Sequence, residues 1–366
     1  MHNDELLRVS QSELEELACV QGREWARRLI EENPRLRAIV EERRDVVDAK
    51  GKARKYVRCS ERHLKTTLGP VPVPRMAYRS PGCEGIHPID AALNRRTEVF
   101  SRGVQRMVAE EAGCSSYDEV VDRVCRDSGA TIVKRQVEEL SVCAAQDFDA
   151  SYAKRADSQG ASDELLVIST DGKGIVMWHE DLRKGTKRAA ERSKHKIQTS
   201  LTPGEKRNRK RMAQVATVYS VERYPRRAVD IVQRGHAVEP CPTQRPCPTD
   251  KRVWATVEKD KTLAIRDATA NAVVDKTGHY VLELHRAGML GHAEAVTEGL
   301  PIATGVLEGP CRYVVKDRMD RCGARWSLVR AEAVQRLRAV RASDILRELL
   351  GYPPVSSGVE NDRRQP

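Results

Sequence analysis

Glu308 stands alone between Leu307 and Gly309, at the head of a segment that carries Arg312, Lys316, Arg318, Arg321 and Arg325. Two chemistries fit a lone carboxylate in front of so many cations. One is a surface helix in which Glu308 pairs with Arg312 at i+4, worth a few tenths of a kcal/mol. The other is a hard-cation ligand beside a phosphate-binding surface, since divalent cations such as Mg²⁺ take carboxylate oxygens. A second candidate is Asp171 in SDELLVISTDGKGIVM. LLVIS has the apolar, β-branched composition of a buried strand. Asp171 is expected at its C-terminal end, with DGKG as a tight turn and IVM as the returning strand. Asp-Gly is also a frequent turn pair, so a purely conformational aspartate is the alternative.

The elements that must position these residues follow from periodicity. Residues 4–48 show helical spacing, with Pro34 expected to end a first helix before a second, shorter one. Residues 53–80 read as extended, with VRC and LKTTL flanking a polar SERH turn and VPVPRMAYR forming a proline-marked edge strand of a small β-meander. Residues 89–154 return to short amphipathic helices. There SYDEVVDRVCRDSG, a turn, and a helix opening with Lys134, Arg135 and Gln136 resemble a helix-turn-helix reader. MAQVATVYSVE is a further β-rich run, and VWATVEKDKTLAIRDATANAVV and residues 311–350 read as helices, the latter basic and amphipathic. Two or three antiparallel strands opened by an aspartate-bearing one suit the start of an RNase H-like domain. The expected fold is therefore α+β, with boundaries at 1–50 (helices), 51–88 (β-meander), 89–160 (helical, DNA-reading), 161–350 (catalytic) and a disordered tail at 351–366.

Charge is concentrated rather than spread. Residues 183–211 hold twelve Lys/Arg against Glu191 and Glu205, a net +10 out of the chain's +11. A localised patch is the electrostatic footprint of a polyanion partner, and Lys206, Arg207, Arg209, Lys210 and Arg211 are its densest part. A solvated basic loop is the alternative. No run of about 18 apolar residues exists, so no membrane span is expected. The acidic N-terminus lacks the basic start and apolar stretch of a signal peptide, which makes the cytoplasm the expected location. Ten cysteines contain no CxxC pair, which argues against zinc and disulfides. Cys241, Cys247 and His236 form a weak metal trio, and most of the others read as small buried apolar residues.

Several strings resemble the ISKra-type family of insertion-sequence transposases: GPVPVPRMAYRSPG, HPIDAALNRRTEVFS, STDGKGIVM, GEKRNRKRMAQVATVY, GLPIATGVLEGPCRYVVKDRMDRCGARW and AEAVQRLRAVRAS. The resemblance implies a DDE-type transposase with an RNase H-like catalytic domain, whose expected partners are transposon-end and target DNA and further copies of the chain in a homo-oligomer, with no membrane partner. It also implies three carboxylates holding Mg²⁺ or Mn²⁺ for phosphodiester cleavage and strand transfer. Asp171 matches the first carboxylate and Glu308 the last, with Arg312, Lys316, Arg318 and Arg325 facing DNA phosphate.

The chain departs from the family between them. Only 47 positions separate Trp254 from Pro301, where family members carry two further strands and the middle aspartate. An internal deletion is the expected cause, with Asp275 a weak replacement ligand and impaired catalysis the consequence. The family also has alanine where Pro310 stands, so a helix is expected to begin at Pro310, leaving Glu308 just before it. A non-catalytic DNA-binding relic or repressor and a metal-dependent nuclease are the competing readings.

Overall fold

The computed structural model describes residues 9–48, 51–92, 99–153, 164–192, 203–207, 209–226, 246–258, 297–300, 311–320 and 324–350. Helix and strand are mixed, as an α+β chain requires. The chain divides into two compact units, one of residues 1–108 and 117–137 and the other of residues 109–116 and 138–366.

The first unit opens with helix α1 (Gln11–Val40). Ser10 and Glu13 form a capping box, each accepting from the other's backbone N–H. The helix does not stop at Pro34. That ring is buried on the side of α1 that packs on strand β2, so burial offsets the one backbone hydrogen bond that proline removes. Strands β1 (Tyr56–Thr66) and β2 (Gly69–Arg79) then pair along their full length. The turn is at residues 67–68 rather than at SERH, whose Ser60–His63 stretch pairs with Arg75–Pro72. Breaking β1 at SERH would leave Val71 and Val73, both buried, without a backing strand. Thr66 Oγ1 donates to the Gly69 carbonyl (2.7 Å), and Gly69 sits at φ +114°, a conformation that requires glycine. Pro70, Pro72 and Pro74 alternate along β2, so their missing N–H groups all face its outer edge, as the edge-strand reading requires. The meander is thus a two-stranded ribbon, extended by single bridges from Phe100 to Lys65 and Ile86 to Tyr78.

Helix α2 (Arg102–Ala112) leads to helix α3 (Tyr117–Ser128) and helix α4 (Lys134–Ala144), the expected helix pair. Gly129 closes α3 at φ +65°, and Lys134 pairs with Asp118 at 2.7 Å.

The second unit is built on three antiparallel strands in the order β3 (Leu165–Val176), β4 (Lys210–Val221) and β5 (Thr249–Thr256). VWAT, expected as helix, is the end of β5. Its side chains are buried on a central sheet, which overrides the weak helical spacing. Helix α5 (Phe148–Ala153) stacks Tyr152 on Trp254 with ring centroids 4.5 Å apart, and the Tyr152 hydroxyl donates to the Val253 carbonyl (2.7 Å). Ser343 Oγ takes the Val253 N–H at 2.8 Å. Helix α6 (Lys184–Arg192) lies in the basic segment. Beyond a π-helix at Cys311–Lys316, helix α7 (Leu328–Ala342) packs on β5 and is followed by the single-turn α8 (Leu346–Leu349). α7 is a buried core helix rather than a basic surface one: Ala331–Gln335, Leu337, Ala339 and Val340 are all buried. No described helix is long and apolar enough to cross a membrane. The tail 351–366, His236, Cys241 and Asp275 lie outside the described residues.

The reading of the cysteines as buried needs correction. Among the eight described cysteines, all free, only Cys311 is buried; Cys19, Cys59 and Cys247 are exposed and the other four are half-buried. Cys19 and Cys59 lie within α1 and β1 on exposed faces, where a small side chain is tolerated but not enclosed.

Candidate active site on strand β3

β3 runs unbroken through DGKG, so Asp171 is the seventh of its twelve residues and not its last. Asp171 pairs with Val215 and IVM continues the same strand instead of returning beside it. β4 supplies the reason, because KRMAQVATVYSV is an uninterrupted β-forming template of equal length. The two glycines serve packing across the ladder. Neither Gly172 nor Gly174 has positive φ. A Cβ at Gly172 would meet Gln214 and Met212 at 3.1 Å, and one at Gly174 would meet Lys210 at 2.9 Å. They clear one face of β3 for the long side chains of β4, while Asp171 and Lys173 share the other face.

Asp171 is exposed, and its Oδ1 accepts the Gly172 N–H at 2.7 Å. The buried Cys311 thiol, first residue of the π-helix, hydrogen-bonds to the same carboxylate. Burial pushes this thiol up to about 12, and the hydrogen bond and negative charge of Asp171 push it the same way, with Lys173 opposing. The π-helix is held from behind by α7. Gln335 Nε2 (3.3 Å) and Arg338 Nε (2.9 Å) both donate to the Val314 carbonyl, one of the groups that π-helical geometry leaves short of partners. A second anchor lies at the end of β3. Trp326 N–H donates to the Val176 carbonyl (3.0 Å) and Trp178 N–H to the Trp326 carbonyl (2.8 Å), so GARW adds a parallel bridge to Met177. Two parts of one sequence string, CRYVVK and GARW, therefore meet β3 at two separate points. Sequence reasoning missed both contacts, although Cys311 follows Glu308 by three positions and could have flagged the first.

Glu308 and Pro310 lie outside the described residues, and the described helical structure starts at Cys311. Asp171 has lone pairs to spare and suits one oxygen position around a hard cation. Among the described residues, no group of three His, Cys, Asp or Glu could hold a metal ion. Glu332 is a carboxylate of α7 packed against this sheet, but its oxygens are taken. It is buried on α7 and accepts from Val257 N–H (2.6 Å), Glu258 N–H (3.1 Å), the Thr256 hydroxyl (2.9 Å) and Arg336 Nε (3.1 Å). It seals the end of β5.

The basic residues separate into two groups. Arg207, Lys210, Arg312 and Lys316 are exposed, and Lys206, Arg209 and Arg325 half-exposed. Arg211 instead spends its guanidinium on three carbonyls: Val257 (2.9 Å), Asp181 (3.1 Å) and Glu258 (3.2 Å). Arg318 is buried with its guanidinium 4.8 Å from the Trp326 ring centre, and Arg325 lies 4.5 Å over Trp178. Arg211 and Arg318 thus hold the fold beside the C-terminal end of β3, whatever else they do.

The state of Cys311 gives a direct test of this geometry. At pH 8 a thiol near 12 is ionised to about one part in 10⁴, so Cys311 is expected to react with a thiol reagent ~10³-fold more slowly than exposed Cys59. Asp171→Asn removes the anion that opposes the thiolate and should speed Cys311 modification while leaving Cys59 unchanged. Mass spectrometry of the labelled sites reads both rates. Equal rates at Cys311 in the two proteins would separate the thiol from Asp171.

Compared with protein-family models and with curated proteins, the chain matches none.

Proposed function

We propose that this chain is a DNA-binding protein of the ISKra-type transposase class, with a shortened RNase H-like catalytic region and impaired phosphoryl transfer. The observation that carries the reading is the Cys311 thiol on the Asp171 carboxylate. It brings the chain three positions after Glu308 to the first carboxylate of the family pattern. A three-stranded antiparallel sheet whose first strand carries that aspartate supports the RNase H-like assignment. Asp171 and Glu308 would hold Mg²⁺ or Mn²⁺, which when bound activates the attacking oxygen and stabilises the leaving one. Exposed Arg312 and Lys316, on the π-helix that follows Glu308, would take the phosphates flanking the scissile bond. Lys206, Arg207, Arg209 and Lys210 would hold the duplex beyond it. The helix pair α3–α4, entered by Lys134, Arg135 and Gln136, would read the transposon end.

The short interval between Trp254 and Pro301 favours a second reading, a relic that occupies transposon ends without cutting them. A nuclease that cuts without joining strands is separated from both by a strand-transfer assay in Mn²⁺.

DNA binding as a function of salt tests the shared part of these readings. Replacing Lys206, Arg207 and Lys210 by glutamate is expected to flatten the slope of log K against log salt by about 0.9 for each lost phosphate contact. At physiological salt the affinity should fall on the order of 10²-fold. An unchanged slope would remove the patch from the DNA surface.

A further inference from the structure

Two arginine–tryptophan stacks lie by the C-terminal end of β3, and they differ in what they leave over. Arg318 stands 4.8 Å from the Trp326 ring centre; both residues are buried, and the Trp326 indole N–H donates to the Met319 carbonyl at 3.2 Å. That stack is closed. Arg325 stands 4.5 Å over Trp178, yet Trp178 is 40% exposed and Arg325 is half-exposed. Among the described residues, no carboxylate or carbonyl takes the Arg325 guanidinium, and no acceptor takes the Trp178 indole N–H. The exposure does not come from a loose backbone. Trp178 N–H donates to the Trp326 carbonyl (2.8 Å), and the Trp178 carbonyl accepts the Asp181 N–H (3.2 Å). A single exposed tryptophan is ordinary. One held rigidly beside an unpaired guanidinium has recognition capacity that the fold does not use.

We infer that Trp178 and Arg325 form a stacking site for an unpaired base of single-stranded DNA. The inference deepens the DNA-binding reading above and rests on it for the chemistry of the partner. A ligand for this pair needs a flat π face and negative charge. The π face answers the indole and the planar guanidinium, both of which stack on bases of any sequence. The charge answers the surroundings. Residues 178–192 carry five Lys/Arg against Glu180, Asp181 and Glu191, and Arg183, Lys184 and Arg188 are exposed. From β4, the Arg209 carbonyl accepts the Met177 N–H (3.0 Å) and Lys210 pairs with Val176, which brings the start of the basic strand beside Trp178. A nucleotide combines the two properties. Inside a duplex, neighbouring bases cover both faces, so only a base out of the stack can offer one to the indole. The pinned backbone of Trp178 spares part of the ordering cost of binding.

Fluorescence anisotropy of the full chain tests the site, with a labelled thymidine oligomer of about ten nucleotides and a blunt duplex of the same length. Trp178→Ala is expected to weaken single-strand binding about tenfold or more and to leave duplex binding unchanged. The slope of log K against log salt should stay as it is, because stacking releases no counterions. Trp178→Phe keeps a π face and should retain most of the affinity. If circular dichroism shows that the alanine variant loses its fold, Trp178→Leu decides instead, since it keeps apolar bulk without a π face. Single-strand binding indifferent to these variants overturns the proposal. An equal loss on both DNAs overturns it too, because Trp178 would then act through the fold. A parent chain that binds duplex but not the thymidine oligomer sinks the stacking site alone. Trp178-dependent binding of the oligomer without duplex binding would support the site and sink the transposon-end reading.

Discussion

Replacing Glu332 by alanine is expected to lower the free energy of unfolding by about 3–5 kcal/mol, more than any exposed charge in the protein could contribute. The carboxylate is 8% exposed and serves four donors from Thr256, Val257, Glu258 and Arg336. Removing it leaves two backbone N–H groups at the end of β5 and a guanidinium without their shared acceptor. Each unmet buried group costs about 1–3 kcal/mol, and Arg336 keeps the longer Asp149 pair at 3.4 Å and its place 5.3 Å from the Phe148 ring centre. Glu332→Gln retains one acceptor oxygen and should cost about 1–2 kcal/mol. Urea titration of both variants gives the comparison. A loss under about 1 kcal/mol for the alanine would mean that water replaces the carboxylate and that β5 is not anchored by it.

In Mg²⁺ the purified chain is expected to bind DNA and to give no measurable cleavage or strand transfer. In-line attack needs both the entering and leaving oxygens stabilised by metal, and the family pattern assigns that work to three carboxylates. On the proposed reading Asp171 and Glu308 match two of them, and the interval expected to carry the third is only 47 positions long. Mg²⁺ demands near-ideal octahedral geometry, so a site one anion short binds it weakly. Grafting two strands with a strand-end aspartate into that interval is expected, on the same reading, to raise cleavage by at least ~10²-fold, the contribution of a well-placed metal. Asp171→Asn or Glu308→Gln in the graft should abolish that gain. Robust transposition by the chain as it stands would overturn the deletion argument and make Asp275 the first residue to mutate.

Much of the candidate site was legible because composition records it. LLVIS and MAQVATVYS read as strands and became β3 and β4, since β-branched and aromatic residues suit a buried sheet wherever it lies. The helix pair around Gly129 was legible from its glycine and its amphipathic spacing. DGKG misled for a physical reason. Asp-Gly is a turn signal only when no partner strand runs past it, and β4 does run past it. Pro34 and SERH misled in the same way, each a local breaker signal overruled by a long neighbour, the ribbon for Pro34 and β2 for SERH.

By itself the sequence determined the charge concentrated in residues 183–211 and the apolar periods that demand helix or strand. All of these are sums or spacings along the chain. Only the tertiary structure decided which groups of one type do which work. Arg211 and Lys210 are adjacent and both cationic, yet one is tied to three carbonyls and the other is exposed. Glu332 looked like one more charge on a basic helix and proved to be a buried clasp on β5. Hydrogen-bond partners arrive from residues far away in sequence, Val257 from Glu332 and Asp171 from Cys311, and no local pattern encodes such a meeting.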